Sequence, residues 1–469
     1  MRIELCDMLR DPVVLAQALH ARLADTSYTF GEAAKIGGIA TDSREVEEGD
    51  LFVALRGKHA DGAAYLFDAL SRGAVGILSD SAASVAEAHC LHFTADDPIA
   101  ALTSAAAWRR HKSDAFVITV GGSTGKTTIK EALSVLLSEA GSVARTKGNY
   151  NSTIGLPLSI LSFEEGCDYW VTEIGINHIG EMERMIQSVC PDLAILTNVG
   201  TAHIGQFGDF STLLFEKAKI AAALSSRGML LAPAELPISV FPCSRDRIMR
   251  IGNSSDADFC MENVVMSENG VKADLICPDR AITNLNWSVP GVVGLSTLTT
   301  VAAAAVLCGC SDEMIRDGLE RASLQTPRLR TFFLEDKLII DDTYNASPES
   351  VAGALEVLSY RGADRPKIAV LGDMLELGSH SEILHRAVGE AVVKAGISML
   401  FTYGDQAMHI AKGAGACGMP ADAVFSFERG EERALAEGIR LHAPHSAAIL
   451  FKASGRMKLG KIVEMIEVK

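Results

Sequence analysis

The chain has 469 residues, with 43 Lys and Arg against 59 Asp and Glu, for a net charge of −16. Its 48% apolar and 22% charged composition is ordinary for folded domains with large cores, which excludes disorder as a description of the whole chain. The acidic balance argues against a general nucleic-acid binder, so any anionic ligand must be met by a local concentration of Lys and Arg.

At roughly 100–200 residues per domain, the length predicts three domains, with two or four as the neighbouring solutions. Residues 1–98 mix short strands and turns, and the clearest element is the acidic turn EEGD running into the apolar strand LFVAL. Residues 99–326 open on an Ala-rich helix. The strand AFVITV (115–120), a glycine-rich loop and the helix TIKEALSVLLSEA follow, with further strands at 168–175 and 192–200. Strands alternating with helices predict a mostly parallel sheet. Residues 228–290 read as strands and turns, an added antiparallel edge. Residues 281–311 carry no charge, but Pro290 and several glycines and hydroxyls interrupt them, which favours a buried helix after a loop over a membrane span. Residues 327–469 repeat the alternation, with strands at 337–343, 367–374, 398–404 and 447–454, and predict a Rossmann-like unit. The fold class is therefore α/β in three domains: a small N-terminal one, a central P-loop-type mostly parallel sheet, and a C-terminal Rossmann-like domain.

The ten cysteines are scattered without a CxxC pair and read as reduced thiols of a cytoplasmic protein. The start, MRIELCDMLRDP, has early acids and no long apolar core, so no signal peptide is expected there.

The segment ITVGGSTGKTTIKEAL places a glycine-rich loop between a strand and a helix. Such a loop turns backbone N–H groups inward, and the helix N-terminus adds partial positive charge. Gly122, Ser123, Thr124, Gly125, Lys126, Thr127 and Thr128 are the expected nucleotide-binding residues. Lys126 reaches β/γ-phosphates and the Thr127 hydroxyl suits Mg²⁺. A full Walker A pattern requires glycine at position 120, where the chain has Val120, so the loop is one residue short. A chance glycine turn is the bland alternative, and the Lys-Thr pair between strand and helix weighs against it. The loop implies ATP or GTP with Mg²⁺ and leaves the reaction open.

With the shortened GSTGKTT loop, the sequence resembles the Mur ligases, ATP-dependent amide ligases of peptidoglycan synthesis. The similarity continues in TDSREVEEGDLFVALRGKHADG, KGNYNSTIGLP, VTEIGINHIGEM, TNVGTAHIGQFG, DDTYNASPES and VLGDMLELG. The last two resemble the branch that adds D-alanyl-D-alanine, and the Asn-Pro-Arg motif of the diaminopimelate- or lysine-adding branch is absent. The resemblance implies that domain 1–98 binds a UDP-sugar, 99–326 binds ATP, and 327–469 binds the incoming dipeptide. It implies a cytoplasmic monomer acting on UDP-N-acetylmuramoyl-tripeptide and D-alanyl-D-alanine, with no nucleic-acid or membrane partner.

Glu173 ends a strand at the carboxyl edge, where α/β sheets gather ligand groups, and a carboxylate there suits Mg²⁺. A solvated strand-end Glu is the bland reading. His203 follows the next strand and resembles the family's metal-associated His. Lys217 resembles a family lysine carbamylated by CO₂ that then ligates a second metal; Lys219 is its rival by register. The expected metal set is thus Thr127, Glu173, His203 and Lys217. The resemblance assigns Asp342 to the ATP ribose and Arg328 to the γ-phosphate, with Arg330 a rival within reach. It assigns Ser43, Arg44, Asn149, Asn151, Ser152, Tyr344 and Asn345 to the substrates, and Lys452 and Ser454 to a late strand-end motif. The catalytic set is Lys126, Glu173, His203, Lys217 and Arg328.

The chain departs from the family pattern at three places. Leu295, Ser296 and Thr299 stand where a His and two Asn usually contact the nucleotide. Gly455 stands where an Arg is expected, with Arg456 one position late. Ser152 replaces the second Asn of a pair. The implied chemistry is attack of the tripeptide carboxylate on the γ-phosphate, then attack of the dipeptide amine on the acyl phosphate. A folylpolyglutamate-type ligase and a P-loop switch share the loop; DDTYNASP disfavours the first and the missing full Walker A the second.

Overall fold

The computed structural model describes all residues except 25–34, 58–60, 81–89, 326–327 and 468–469. The domain boundary expected at 326/327 lies outside the described residues.

The first sheet has six strands in the spatial order Arg2–Glu4, Gly38–Ala40, Leu51–Val53, Gly76–Ser79, Leu91–Thr94 and Arg22–Ala24. The four inner strands are parallel and both outer ones antiparallel. The helix Pro98–His111 follows. Asp97 caps it by accepting from the N–H groups of Ile99 and Ala100, and Pro98 sits in its first turn, where no N–H is missed. Ala101, Leu102 and Ala105 of this helix are buried with Leu5, Leu9 and Leu15, whereas Ala106 joins the central core. One helix therefore fastens the first sheet to the second.

The second sheet is fully parallel, in the order Ile248–Ile251, Met229–Pro233, Leu193–Leu196, Phe116–Gly121, Tyr169–Glu173 and Val143–Arg145. Its inner strands are nearly continuous apolar runs because helices cover both faces. Between Phe116–Gly121 and Leu193–Leu196 the connections leave in opposite directions, which opens a crevice at the carboxyl ends of these strands.

The 228–290 region differs from the expected antiparallel edge. Its first part supplies the two outer parallel strands, and Cys260–Ser267, Gly270–Ile276 and Ala281–Trp287 form a separate antiparallel sheet. One face of that small sheet is solvated, so its apolar pattern is weak. The uncharged stretch becomes the strand Ala281–Trp287 and then the helix Gly291–Leu307, buried along Leu298 and Val301–Ala305. Among the described residues, no helix is long and apolar enough to cross a membrane.

The fourth sheet runs Arg330–Leu334, Lys337–Asp341, Ala448–Lys452, Lys367–Gly372, Met399–Tyr403 and Val424–Phe427, parallel except at its first strand. The helix Pro348–Arg361 packs it against Gly291–Leu307, where Glu356 accepts from the Val292 N–H at 3.0 Å.

Trp170 anchors the second sheet: it is fully buried, edge-on to Phe163 at 5.2 Å and under the Arg109 guanidinium at 5.1 Å. Trp170→Ala is expected to cost about 3–5 kcal/mol, read as a lower urea midpoint for loss of the central unit's structure.

Candidate active site

The site is built where the second sheet's crevice faces the fourth sheet. Gly122 has φ +136°, and a Cβ there would lie 2.1 Å from Thr197 Oγ1, so only glycine fits this turn. The loop is pinned to the neighbouring strand end. Ser123 N donates to Asn198 O at 3.0 Å and Thr124 N to Asn198 Oδ1 at 3.0 Å. Asn198 Nδ2 donates to Thr124 Oγ1 at 2.7 Å, and Gly200 N to Ser123 Oγ at 2.8 Å. Gly125 turns the chain at φ +81° into the helix Lys126–Leu137, whose first turn carries Thr127 and Thr128.

Two lysines converge on this loop from different elements. Lys126 Nζ donates to the carbonyls of Gly122 and Ser123 at 3.0 and 3.1 Å, and Lys217 Nζ donates to Gly122 O at 3.1 Å. Burial pushes the Lys126 pKa down, Glu173 opposes the shift, and Arg328 adds to it. Lys217 is only 2% exposed, and burial together with the nearby Lys126 charge lowers its pKa to about 7. Lys219, two residues on, points elsewhere: it pairs with Glu216 at 2.9 Å, and that partner raises its pKa.

Glu173 is 2% exposed, and its Oε1 accepts from Asn151 Nδ2 at 2.7 Å. Its Oε2 is buried without a hydrogen-bond partner, 3.9 Å from the fully buried Lys130 ammonium. His203 Nδ1 lies 2.5 Å from Glu376 Oε2. Burial lowers the His203 pKa, opposed by Glu376 and reinforced by Lys126 and Lys217.

From the fourth sheet, Lys452 at the end of one strand pairs with Asp342 just past the next, and also donates to Asn345 O at 2.8 Å. Arg328 stacks over the Tyr344 ring, 3.4 Å from its centroid. Arg330 stacks instead on Phe332 at 4.7 Å. A cavity of about 550 Å³ gathers Ser123 to Thr128, Asn149, Asn151, Glu173, His203, Arg328, Asp342, Tyr344 and Asn345. Trp287, Val289, Val292 and Val293 give it an apolar wall. A second cavity, of about 670 Å³, continues past His203 and Glu376 to Arg456, Lys458 and Lys461.

Three family models match the chain: the Mur ligase catalytic domain over residues 35–114, the Mur ligase middle domain over 120–307, and the Mur ligase glutamate ligase domain over 328–455. The chain is 31% identical to the UDP-N-acetylmuramoyl-tripeptide--D-alanyl-D-alanine ligase of Bacillus subtilis over 458 residues, 96% of each chain. The Mur ligase family is thereby shown. The chain belongs to it. Among solved structures, MurF of Acinetobacter baumannii superposes with a TM-score of 0.88 at 27% identity, covering 100% of both chains. MurF of Thermotoga maritima in complex with ADP superposes with a TM-score of 0.79 at 26% identity, covering 92% of this chain and 96% of that one.

Within this Mur ligase the expected residues divide into three groups. Those of the loop from Ser123 onward, the crevice and the Asp342 turn share the cavity, Ser152 excepted. Lys217 lies beneath the loop with Gly122. Ser43 and Arg44 sit on the first sheet and line neither cavity; Ser43 is buried, and Arg44 forks onto Asp42 at 2.9 and 2.6 Å. That arginine holds the Asp42 carboxyl far below the usual range. Of the departures, Ser296 lines the cavity, while Thr299 bonds back to Leu295 O within its own helix at 2.8 Å. Ser152 Oγ accepts from Gly155 N at 3.1 Å and holds a turn. Gly455 packs so tightly that a Cβ would meet Tyr344 O at 2.6 Å, and Arg456 donates to Glu376 Oε1 at 2.8 Å.

Four residues escaped the sequence reading: Lys130, Asn198, Glu349 and Glu376. Asn198 carried a usable signal, since it follows a strand at a carboxyl edge. Among the described residues, no three His, Cys, Asp or Glu side chains converge as a closed metal cage. Glu173 Oε2, which has no hydrogen-bond partner, lines the same cavity as Thr127 and fits Mg²⁺, which takes one or two carboxylates and fills its shell with phosphate oxygens and water.

Lys217 yields a pH prediction. An ordinary lysine titrates at 10.5, and this one at about 7 when folded. Between those values the unfolded chain holds the extra proton, so stability rises with pH across the window, by up to about 1.4 kcal/mol per unit. Denaturant titrations in CO₂-free buffer from pH 7 to 10 are expected to show this rise in the native chain and its loss in Lys217→Met.

Proposed function

We propose that this Mur ligase joins D-alanyl-D-alanine to UDP-N-acetylmuramoyl-tripeptide with conversion of ATP to ADP and phosphate. The proposal includes a cytoplasmic monomer with domains at 1–98, 99–326 and 327–469. The carrying observation is one cavity that brings the phosphate loop, Lys126 and Glu173 against Arg328, Asp342 and Asn345.

The tripeptide carboxylate and the γ-phosphate are both anions, so their approach requires fixed positive charge. Lys126 and the N–H groups that open the helix Lys126–Leu137 face the β/γ-phosphates, and Arg328 presents a planar fork to the transferring group. Asp342, held by Lys452, accepts from the ribose hydroxyls, and the apolar wall from Trp287 to Val293 takes the base. The carboxylate oxygen forms its bond to the γ-phosphorus as ADP leaves. The dipeptide amine then attacks the acyl carbon, loses a proton, and phosphate leaves. Docking of the fourth sheet over the crevice excludes the water that would hydrolyse the acyl phosphate.

Thr127, Glu173 and His203 are the proposed Mg²⁺ ligands, and the bound ion supplies Lewis-acid stabilisation of phosphoryl oxygens. Lys217 is the proposed carbamate. With a pKa of about 7, a large share of its amine is neutral at neutral pH. The nitrogen lone pair adds to CO₂, one proton leaves, and the product is a carboxylate suited to a second ion.

Phosphate release from ATP and Mg²⁺ is expected to require both substrates, with a product heavier by the dipeptide minus water. Release indifferent to both would overturn the ligase reading. Lys126→Ala is expected to lower kcat by about 100-fold or more, with the fold retained by circular dichroism.

A further inference from the structure

The loop that carries His203 belongs to the central unit, yet from Thr201 to Gly205 it also takes partners from the C-terminal unit. Glu349 Oε1 accepts from Thr201 N at 2.6 Å and from Thr201 Oγ1 at 2.8 Å. Gly205 N donates to Glu376 O at 3.2 Å. His203 and Glu376 meet through their side chains, and both hold left-handed backbones, at φ +65° and +68°. A non-glycine residue in that region is costly, and two such residues facing each other across one seam mark a constrained contact. The second Glu376 oxygen is occupied by Arg456, the arginine that stands one position late.

We propose that Glu376 is a positioning residue that orients His203, so that the phosphate side of the site is completed only when the C-terminal unit is docked. A carboxylate accepts and does not donate, so the 2.5 Å contact places the His203 hydrogen on Nδ1. In the neutral ring the Nε2 lone pair is then free, and the ring is fixed toward the cavity it lines. Arg456 holds the carboxylate in place from the other side. Close packing at Gly455 excludes a side chain there, so an arginine at position 456 takes this role. The Arg456–Glu376–His203 chain thus couples domain docking to one imidazole orientation.

This inference rests on the ligase reading for its kinetic arm and not for its spectroscopic one. In the full chain, ¹⁵N NMR of the His203 ring, assigned with His203→Gln, is expected to show the Nδ1–H tautomer. Glu376→Ala is expected to abolish that preference and to lower kcat at least 10-fold, with KM for ATP within twofold. Glu376→Gln, whose amide oxygen still accepts from Nδ1–H, is expected to restore the tautomer and most of kcat. Arg456→Ala, at a well-exposed residue whose loss leaves the fold intact, is expected to reduce kcat in the same direction but less. Wild-type tautomer and kcat in Glu376→Ala would overturn the proposal, as would a change confined to KM. An Nε2–H tautomer in the native chain would overturn it without any turnover measurement. A native chain that forms no amide would overturn the ligase reading instead, and the tautomer would still decide the role of Glu376.

Discussion

Two lysine side chains share one carbonyl in this structure. Lys126 and Lys217 both donate to Gly122 O, at 3.0 and 3.1 Å; Lys217 is buried and Lys126 partly so. Like charges this close, away from water, repel strongly and resist full protonation. Most of the site's design follows from that pair. Gly122 must turn at a positive φ to aim its carbonyl between them. Glu173 must stand nearby to offset the charge, and Asn151 must hold it there. An anionic nucleotide is the chemistry that relieves such a pair.

The second constraint is the seam between the central and C-terminal units. Glu349, Glu376 and Glu356 each cross it to a backbone or side chain on the other side. Three acids at one interface would repel without partners, and the N–H groups of Thr201 and Val292 and the His203 ring provide them. These contacts make the seam specific in register. Asp342 and Arg328 enter the phosphate site only through this seam.

Much of the framework was legible. Parallel strands buried on both faces read as apolar runs, so the central and C-terminal sheets, the phosphate loop and the strand-end acid Glu173 could be read directly. The antiparallel sheet at 260–287 was not, because its exposed face breaks the apolar pattern and mimics loop. Choices between neighbours were also beyond reach. Lys217 and Lys219 lie about 200° apart around a helix, so one is buried while the other is solvated, but both have the same local composition. Arg328 and Arg330 differ only in which aromatic ring each finds. Glu376 looked like any loop acid, since its role depends on a histidine 173 residues away.

The sequence by itself determined the kind of chemistry. Local patterns set the strand–loop–helix that cradles phosphate, the alternation that makes parallel sheets, and the residue types at their carboxyl ends, because each of these depends on near neighbours in the chain. Only the tertiary structure decided which charges meet. It paired His203 with Glu376, Asp342 with Lys452, and Arg456 with the oxygen left over, and it left Ser43 and Arg44 outside the cavities. Such pairings depend on how separate sheets dock. Docking is set by packing over whole surfaces, which no short stretch of sequence encodes.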